Sequence, residues 1–306
     1  MKRALLLAGN GKGRVSPNPM VGAVIVHDDR IIGEGFHAFY GGPHAEVNAI
    51  DSVKFRDRPL LKDSTMYVSL EPCAHHGKTP PCADLLVRTG IPRVVIATTD
   101  PNPLVAGKGI EILKNAGVEV ITGILKEESE ELNKRFFKAH RSGKPWIILK
   151  WAQSADGYIC SFDKHGKPMP VSLSSPLSKV WMHRERAFVD AIMVGSNTEK
   201  IDNPKLDVRE WGGNSPRKIK SDSSMTCHDF VENLRKQGIT SLMVEGGAKI
   251  LESFIREGEF DEIRIEISPV LLQKGIKAPA LPDGLILKKE TTCRDNKILI
   301  FLPPRL

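Results

Sequence analysis

Apolar positions in the first half of the chain alternate between strand-like and helix-like spacing. Residues 20–27 and 30–36 are apolar runs separated by Asp28-Asp29, a hairpin signal. Residues 45–53 have helical spacing, 65–70 read as a strand, 82–88 as a helix and 92–98 as a strand. A helix over 110–116, closed by Gly117, leads into a strand over 118–122. Residues 127–140 predict one longer helix, acidic at its start and basic at its end as the helix dipole favours. This order predicts an α/β sandwich with a largely parallel second half of its sheet.

Residues 141–145, Arg-Ser-Gly-Lys-Pro, are the best linker candidate, which puts a domain boundary near residue 144. The alternation then resumes: a strand from 146, a helix near 176–188, a strand at 191–195, a helix at 228–237 and a strand at 241–245. Residues 262–268 and 297–302 are strand-like, and the polar stretch 214–226 reads as a loop. A chain of 306 residues is long enough for two such domains, 1–143 and 144–306.

Composition narrows the class. The short apolar stretch 4–8 is followed at once by Gly and Lys, so the N-terminus reads as an amphipathic helix of a cytoplasmic protein, not a signal peptide. No run approaches the roughly 20 apolar residues of a membrane span. The net charge of +7 suits a solvated basic surface or a phosphorylated small molecule. Basic residues are dispersed and aromatics make up only 6%, which argues against a nucleic-acid platform. Five cysteines, an odd number without framework spacing, argue against a secreted disulfide scaffold. Cys160, Cys227 and Cys293 read as small buried apolar residues.

Cys73 and Cys82 are different. Pro43-His44-Ala45-Glu46, Glu71-Pro72-Cys73 and Pro80-Pro81-Cys82 together approximate the H-x-E and P-C-x-x-C signature of zinc deaminases, with the second cysteine displaced to nine positions after the first. One His and two Cys make a three-ligand site with a fourth position open, the catalytic arrangement, in which water ionises near neutral pH. Glu46 is spaced to carry protons. His75 and His76 are rival ligands, and a structural site built on the cysteines is the alternative.

PNPMVG at 17–22, HAEVNAI at 44–50, EPCAHHGKTPPCADLL at 71–86 and DPNPLVAGKGI at 100–110 resemble the bifunctional riboflavin-biosynthesis deaminase/reductase family. KWAQSADG at 150–157, DAIMVGSNT at 190–198, DNPKLDVR at 202–209 and VEGGAKILESFI at 244–255 extend the resemblance over nearly the whole chain. It implies a cytidine-deaminase-like α/β/α sandwich followed by a dihydrofolate-reductase-like α/β domain. The implied reactions are deamination of 2,5-diamino-6-(5-phosphoribosylamino)pyrimidin-4-one, then reduction of its ribosyl group to ribityl by NADPH. The implied zinc ligands are His44, Cys73 and Cys82, with Glu46 as the proton carrier and Lys78, Asp100 and Asn102 on the ribose phosphate. Implied NADPH contacts are Ala152, Ser172, Thr198, Asp202, Gly247, Ala248, Lys249, Ile250, Leu251, Glu252 and Ser253. Lys150, Arg186, Leu206, Arg209 and Glu245 match positions for the reductase substrate. The implied partners are this phosphorylated pyrimidine and further copies of the chain, as a dimer or tetramer, with no nucleic acid and no membrane.

Between Ile219 and residue 241 the chain is shorter than the resemblance implies. Losing interior strands would leave a large unpaired edge, so the expectation is a stretch of chain missing from this sequence. The alternative is a deaminase whose C-terminal domain is impaired or structural.

Overall fold

Two compact units make up the chain, residues 1–143 and 144–306. The computed structural model describes residues 1–74, 80–102, 105–222 and 224–304. Among them, no helix is long and apolar enough to cross a membrane.

In the first unit, α1 (Lys2–Gly9) precedes a hairpin of β1 (Gly22–His27) and β2 (Arg30–Phe36). The hairpin turns on Asp28 and Asp29, both at positive φ (45° and 59°), as a tight turn matching the strand twist requires. Next come α2 (Ala45–Asp51), a 3-10 stretch over Phe55–Asp63, β3 (Thr65–Val68), α3 (Cys82–Thr89) and β4 (Arg93–Ile96). The unit ends with α4 (Lys108–Asn115), β5 (Glu119–Thr122), α5 (Lys126–Leu132) and α6 (Lys134–Arg141). Strand order is β2-β1-β3-β4-β5, antiparallel around β1 and parallel from β3 to β5. One face is covered by Ala45 and Ala49 of α2, Leu86 of α3 and Leu113 of α4. Ala4 and Leu7 of α1 pack against Val24 on the other. The result is an α/β/α sandwich.

The single helix expected over 127–140 is two helices. Asn133, at φ −105° and ψ 22°, separates them. Its side chain is held by the backbone of Met20, accepting from the N–H at 2.8 Å and donating to the carbonyl at 2.9 Å. The buried side chain pins this position to the Met20 backbone, while the Asn133 N–H and carbonyl keep their bonds to Ser129 and Phe137.

The second unit begins with β6 (Trp146–Gln153), β7 (Tyr158–Phe162), β8 (Pro168–Met169), α7 (Pro176–Arg186), β9 (Ala191–Met193) and α8 (Ser196–Asp202). It continues through β10 (Arg217–Lys218), α9 (Cys227–Lys236), β11 (Ser241–Val244), α10 (Ala248–Arg256) and β12 (Glu262–Ile267). β13 (Ile276–Lys277), β14 (Ile286–Cys293) and β15 (Asn296–Leu302) complete it. The main sheet has the order β10-β9-β11-β6-β12-β15-β14, parallel as far as β12, and β13, β7 and β8 form a small second sheet.

Phe230 and Val231 of α9, with Leu251 and Phe254 of α10, pack on one face against Leu149, Trp151, Val244 and Ile265. On the other face, Met182 of α7 meets Ile148, Ile192 and Met243. That second face changes character over β6 and β12, where it carries buried Lys150, Glu262, Arg264 and Glu266. Glu185 of α7 and Glu262 both accept from the Arg264 guanidinium, which also lies over the Trp181 ring.

The stretch 214–226 is not all loop, since β10 pairs in parallel with β9. β9 has a neighbour on each side, so the shortening opens no gap inside the sheet. Two residues, Arg217 and Lys218, form the outer edge, and a very short charged strand is a safe one.

Candidate functional site

Three segments of the first unit converge at the C-terminal end of β3. His44 is the N-cap of α2, Cys73 follows β3 through Leu70-Glu71-Pro72, and Cys82 is the first residue of α3. Their ligand atoms lie within 4.8 Å of one another. Cys73 Sγ and Cys82 Sγ stand 3.5 and 3.3 Å from His44 Nδ1. In a tetrahedral zinc site, bonds of about 2.3 Å to sulfur and about 2.0–2.1 Å to nitrogen put ligand atoms roughly 3.5–3.8 Å apart. The cluster therefore fits zinc with little movement, and among the described residues it offers three ligands, leaving a fourth position for a reactant.

The charge balance of these groups points the same way. Hydrogen bonding from Cys82, then from His44, pulls Cys73 down to about 4 despite burial. Cys82, hydrogen-bonded to that thiolate and buried, is pushed up. A half-buried and a buried thiol thus compete for one negative charge, and a divalent cation lets both ionise.

Glu46 lies in the first turn of α2 at 3% exposure. Burial, reinforced by the charge on Cys73, pushes its carboxyl up to about 7. A carboxyl titrating there can both give and take a proton at neutral pH.

A cavity of about 260 Å³ opens beside this group, lined among others by Asn18, His37, Glu46, Asp100, Asn102 and Phe136. His37 is buried, which lowers its pKa and favours the neutral ring. Its Nδ1 faces the Pro43 carbonyl at 3.0 Å and so must donate, leaving Nε2 to accept from Asn18 Nδ2 at 3.2 Å.

The wall carrying Asp100 and Asn102 is fixed by Glu71. One of its carboxylate oxygens accepts from the N–H of Asp100 (3.2 Å) and Gly107 (3.0 Å), the other from Gly109 (3.0 Å) and Ile110 (3.4 Å). A buried carboxylate at the start of α4 is favoured by the helix dipole. Gly109 is required there, because a Cβ would stand 2.0 Å from the Pro72 carbonyl oxygen. The Asp100 carboxylate in turn accepts from the Asn102 N–H at 2.8 Å. Lys78, His75 and His76 lie outside the described residues.

In the second unit, candidate residues gather at the C-terminal ends of parallel strands, where open α/β sheets bind ligands. Lys150 and Ala152 lie on β6, Thr198 is in α8 beyond β9, and Glu245 and Gly247 follow β11. Gly247 caps α10 with no side-chain cap, and its N–H donates to Thr198 Oγ1 at 2.9 Å. A Cβ on Gly247 would lie 2.8 Å from that oxygen, so a larger residue would displace the Thr198 hydroxyl. The first-turn N–H groups of α10 thus remain available to a cofactor phosphate, and the residues fit a dinucleotide on this count. Ala248, Lys249 and Ile250 form that turn. Leu251 is instead buried in the core, Glu252 is exposed, and the Ser253 hydroxyl donates to the Lys249 carbonyl.

Arg186 grips Glu245 with two hydrogen bonds of 2.8 and 2.7 Å and also donates to the Asp207 carbonyl. Burial alone would raise the Glu245 carboxyl, but the Arg186 bonds outweigh it and hold the group below its ordinary value. Leu206 is buried at positive φ (48°), shaping the loop that carries Arg209. Arg209 is half exposed and pairs with Asp207 at 2.8 Å. Asp202 is exposed at the end of α8, and Ser172 is exposed with its hydroxyl accepting from Lys179 at 3.1 Å. Asn18, His37, Glu71 and Glu266 received no role from the sequence. The motifs PNPMVG and EPC contain the first and third, but nothing in a motif shows which backbone groups a side chain will hold.

Residues 1–98 match the model of the cytidine and deoxycytidylate deaminase zinc-binding region. The RibD C-terminal domain matches in two pieces, 145–227 and 218–301, which meet where the sequence is short. The riboflavin biosynthesis protein RibD of Aquifex aeolicus is 37% identical over 320 aligned residues, covering 90% of this chain and 88% of that protein. RibD of Bacillus amyloliquefaciens is 37% identical over 332, covering 93% and 87%. Both alignments are longer than the 306-residue chain, so these relatives carry residues that it lacks. Among solved structures, a diaminohydroxyphosphoribosylaminopyrimidine deaminase/5-amino-6-(5-phosphoribosylamino)uracil reductase from Thermotoga maritima matches with a TM-score of 0.88. It is 34% identical, and the match covers 99% of this chain and 97% of that one.

Proposed function

This chain belongs to the RibD family of riboflavin biosynthesis, and from that premise we propose which of its residues carry the family's two reactions. The protein is a bifunctional deaminase and reductase, with zinc serving the first activity and NADPH the second. In our assignment, residues 1–143 deaminate the diaminohydroxyphosphoribosylaminopyrimidine and residues 144–306 reduce the resulting 5-amino-6-(5-phosphoribosylamino)uracil.

His44, Cys73 and Cys82 hold the zinc. Bound there, the metal supplies the Lewis acidity that makes water a nucleophile near neutral pH. Glu46 accepts the proton of the attacking water and delivers it to the ring nitrogen next to the amino-bearing carbon. It then passes a proton to the departing amino nitrogen, which leaves as ammonia. A carboxyl raised to about 7 suits both directions of transfer. Asn18, oriented by neutral His37, and Phe136 present a polar edge and an apolar face to the pyrimidine. Asn102 and Lys78 donate to the ribose phosphate, and the Asp100 carboxylate accepts from the ribose hydroxyls.

In the reductase, Thr198, Gly247 and the first turn of α10 hold NADPH alongside Ala152, and the cofactor supplies the hydride. Arg186 acts by fixing Glu245 and the 206–209 loop, which leaves Arg209 as the guanidinium open to the substrate's phosphate. Lys150 offers its ammonium to the substrate from the same sheet face. We assign the enzyme to the cytoplasm, where Cys73 and Cys82 stay reduced.

The observation that carries this reading is the three-ligand cluster with buried Glu46 beside it. The test is a coupled assay on the diaminopyrimidine with zinc-loaded protein. Ammonia should be released without NADPH, and NADPH should be oxidised only after deamination. Ammonia release without any NADPH oxidation would limit the function to deamination.

A further inference from the structure

The sequence EIRIEI of β12 alternates like a strand with one wet face, yet β12 is an interior strand between β6 and β15 and its polar face is covered. Glu262, Arg264 and Glu266 are exposed by only 2%, 7% and 1%. Burying charge is costly unless it is paired, and well-packed apolar residues would stabilise such a site as well or better. Arg264 accounts for part of the row, since Glu185 and Glu262 both accept from it, and Glu185 also accepts from Arg184.

Glu266 is a separate case. One of its carboxylate oxygens accepts from the Ser174 hydroxyl at 2.7 Å and the other from Asn296 Nδ2 at 2.6 Å. Asn296 also donates to the Leu173 carbonyl, so both anchors belong to the segment before α7 and the start of β15. The carboxylate is therefore immobilised from two sides. Lys150 Nζ stands 3.9 Å from it, too far for a hydrogen bond and close enough for strong attraction in a buried setting. Among the described residues, no side chain or carbonyl accepts a hydrogen bond from that ammonium. In the β6–β12 register Glu266 lies opposite Ala152 and Arg264 opposite Lys150, so all four share a face.

We propose that Glu266 is a positioning residue for the reduction: its anchored carboxylate holds the Lys150 ammonium by charge while leaving the ammonium's N–H groups to the substrate. The inference rests on the reading of Lys150 as part of the reductase site. A fixed counter-charge that forms no direct bond restricts where the ammonium dwells and keeps its donors available, which is pre-organisation for a ligand oxygen.

The test is a double-mutant cycle on the full-length, zinc-loaded protein, with 5-amino-6-(5-phosphoribosylamino)uracil and NADPH as reactants. Lys150→Met should cut the reductase kcat; wild-type reduction in that variant would overturn the reading of the site itself. Glu266→Gln keeps the shape and removes the charge. It should lower kcat on the order of 10²-fold, the scale of misplacing a reacting group, with the NADPH Kd from calorimetry and the deaminase rate unchanged. Glu266→Asp should recover part of the loss. In the Lys150→Met background, Glu266→Gln should add less than about twofold, because it acts through the lysine. Full additivity, or a wild-type kcat in Glu266→Gln, would overturn the proposal and leave the site reading intact. If Glu266→Gln does not fold, Ser174→Ala takes its place in the same cycle, with a smaller loss that must also vanish without Lys150.

Discussion

Glu46 illustrates how one side chain's surroundings set its chemistry. A glutamate in the first turn of a helix would normally be ionised, but at 3% exposure and beside Cys73 its carboxyl rises to about 7. Glu46→Gln removes the titrating group while His44, Cys73 and Cys82 still bind metal. Deamination should fall by about 10²–10⁴-fold, and reduction of the already deaminated uracil should continue at the wild-type rate. Metal analysis and separate assays of the two reactions check this together. Asp156 shows the opposite shift. The Ser154 hydroxyl, then the N–H groups of Leu272 and Gln273, lower it to about 2 against the effect of desolvation. The folded value lies below the ordinary ~3.9. These bonds therefore stabilise the fold fully above that value, and the contribution disappears as pH falls from about 4 through about 2. Asp156→Asn should thus be less stable than wild type at pH 7, with a gap that closes in denaturation measurements taken toward pH 2.

At the level of elements, the deaminase site depends on a junction that joins β3, α3 and α4. Glu71 ties the 100–110 segment to the Cys73 loop, and Gly109 lets α4 sit on the Pro72 carbonyl. Gly109→Ala inserts a methyl group where backbone blocks it. Overpacking of this kind costs about 1–3 kcal/mol, and the displaced α4 should weaken zinc retention as well as lowering Tm. Calorimetry and metal release against a chelator measure the two effects. The sequence made some of this legible and hid the rest for physical reasons. The hairpin of β1 and β2 and the buried strands β4 and β11 declare themselves through apolar runs and turn residues. β7, β8 and β14 are largely exposed or half-exposed and carry no apolar period to read. The break at Asn133 coincides with side-chain bonds to a partner 113 residues away. His44, Cys73 and Cys82 stand out because His and Cys, the residue types able to hold a metal, are scarce and here follow a recognisable pattern. Glu71 and Glu266 look like ordinary surface acids until the fold shows which groups surround them.

On the scale of the whole molecule, the two units differ in the order in which their sheets can be completed. The first unit's strands pair largely as they appear, and its last helix ends at Arg141. In the second unit β6 is the first strand made, yet it sits between β11 and β12, whose residues begin only at 241 and 262. Strand β6 therefore leaves the ribosome with both edges unpaired and remains so while roughly a hundred more residues are added, a wait on the order of 5–20 s at ordinary synthesis rates. Its run Trp-Ile-Ile-Leu-Lys-Trp is the kind of apolar, strand-forming segment that recruits foreign strands when left open. Ribosome-stalled chains ending near residue 240 should carry a protease-resistant 1–143 fragment while the bonds around 146–153 are still cut. Chains long enough to expose β12 to solvent should protect both regions. An aggregate formed during rapid expression would then nucleate on β6, and slowing synthesis ahead of residue 241 should worsen it.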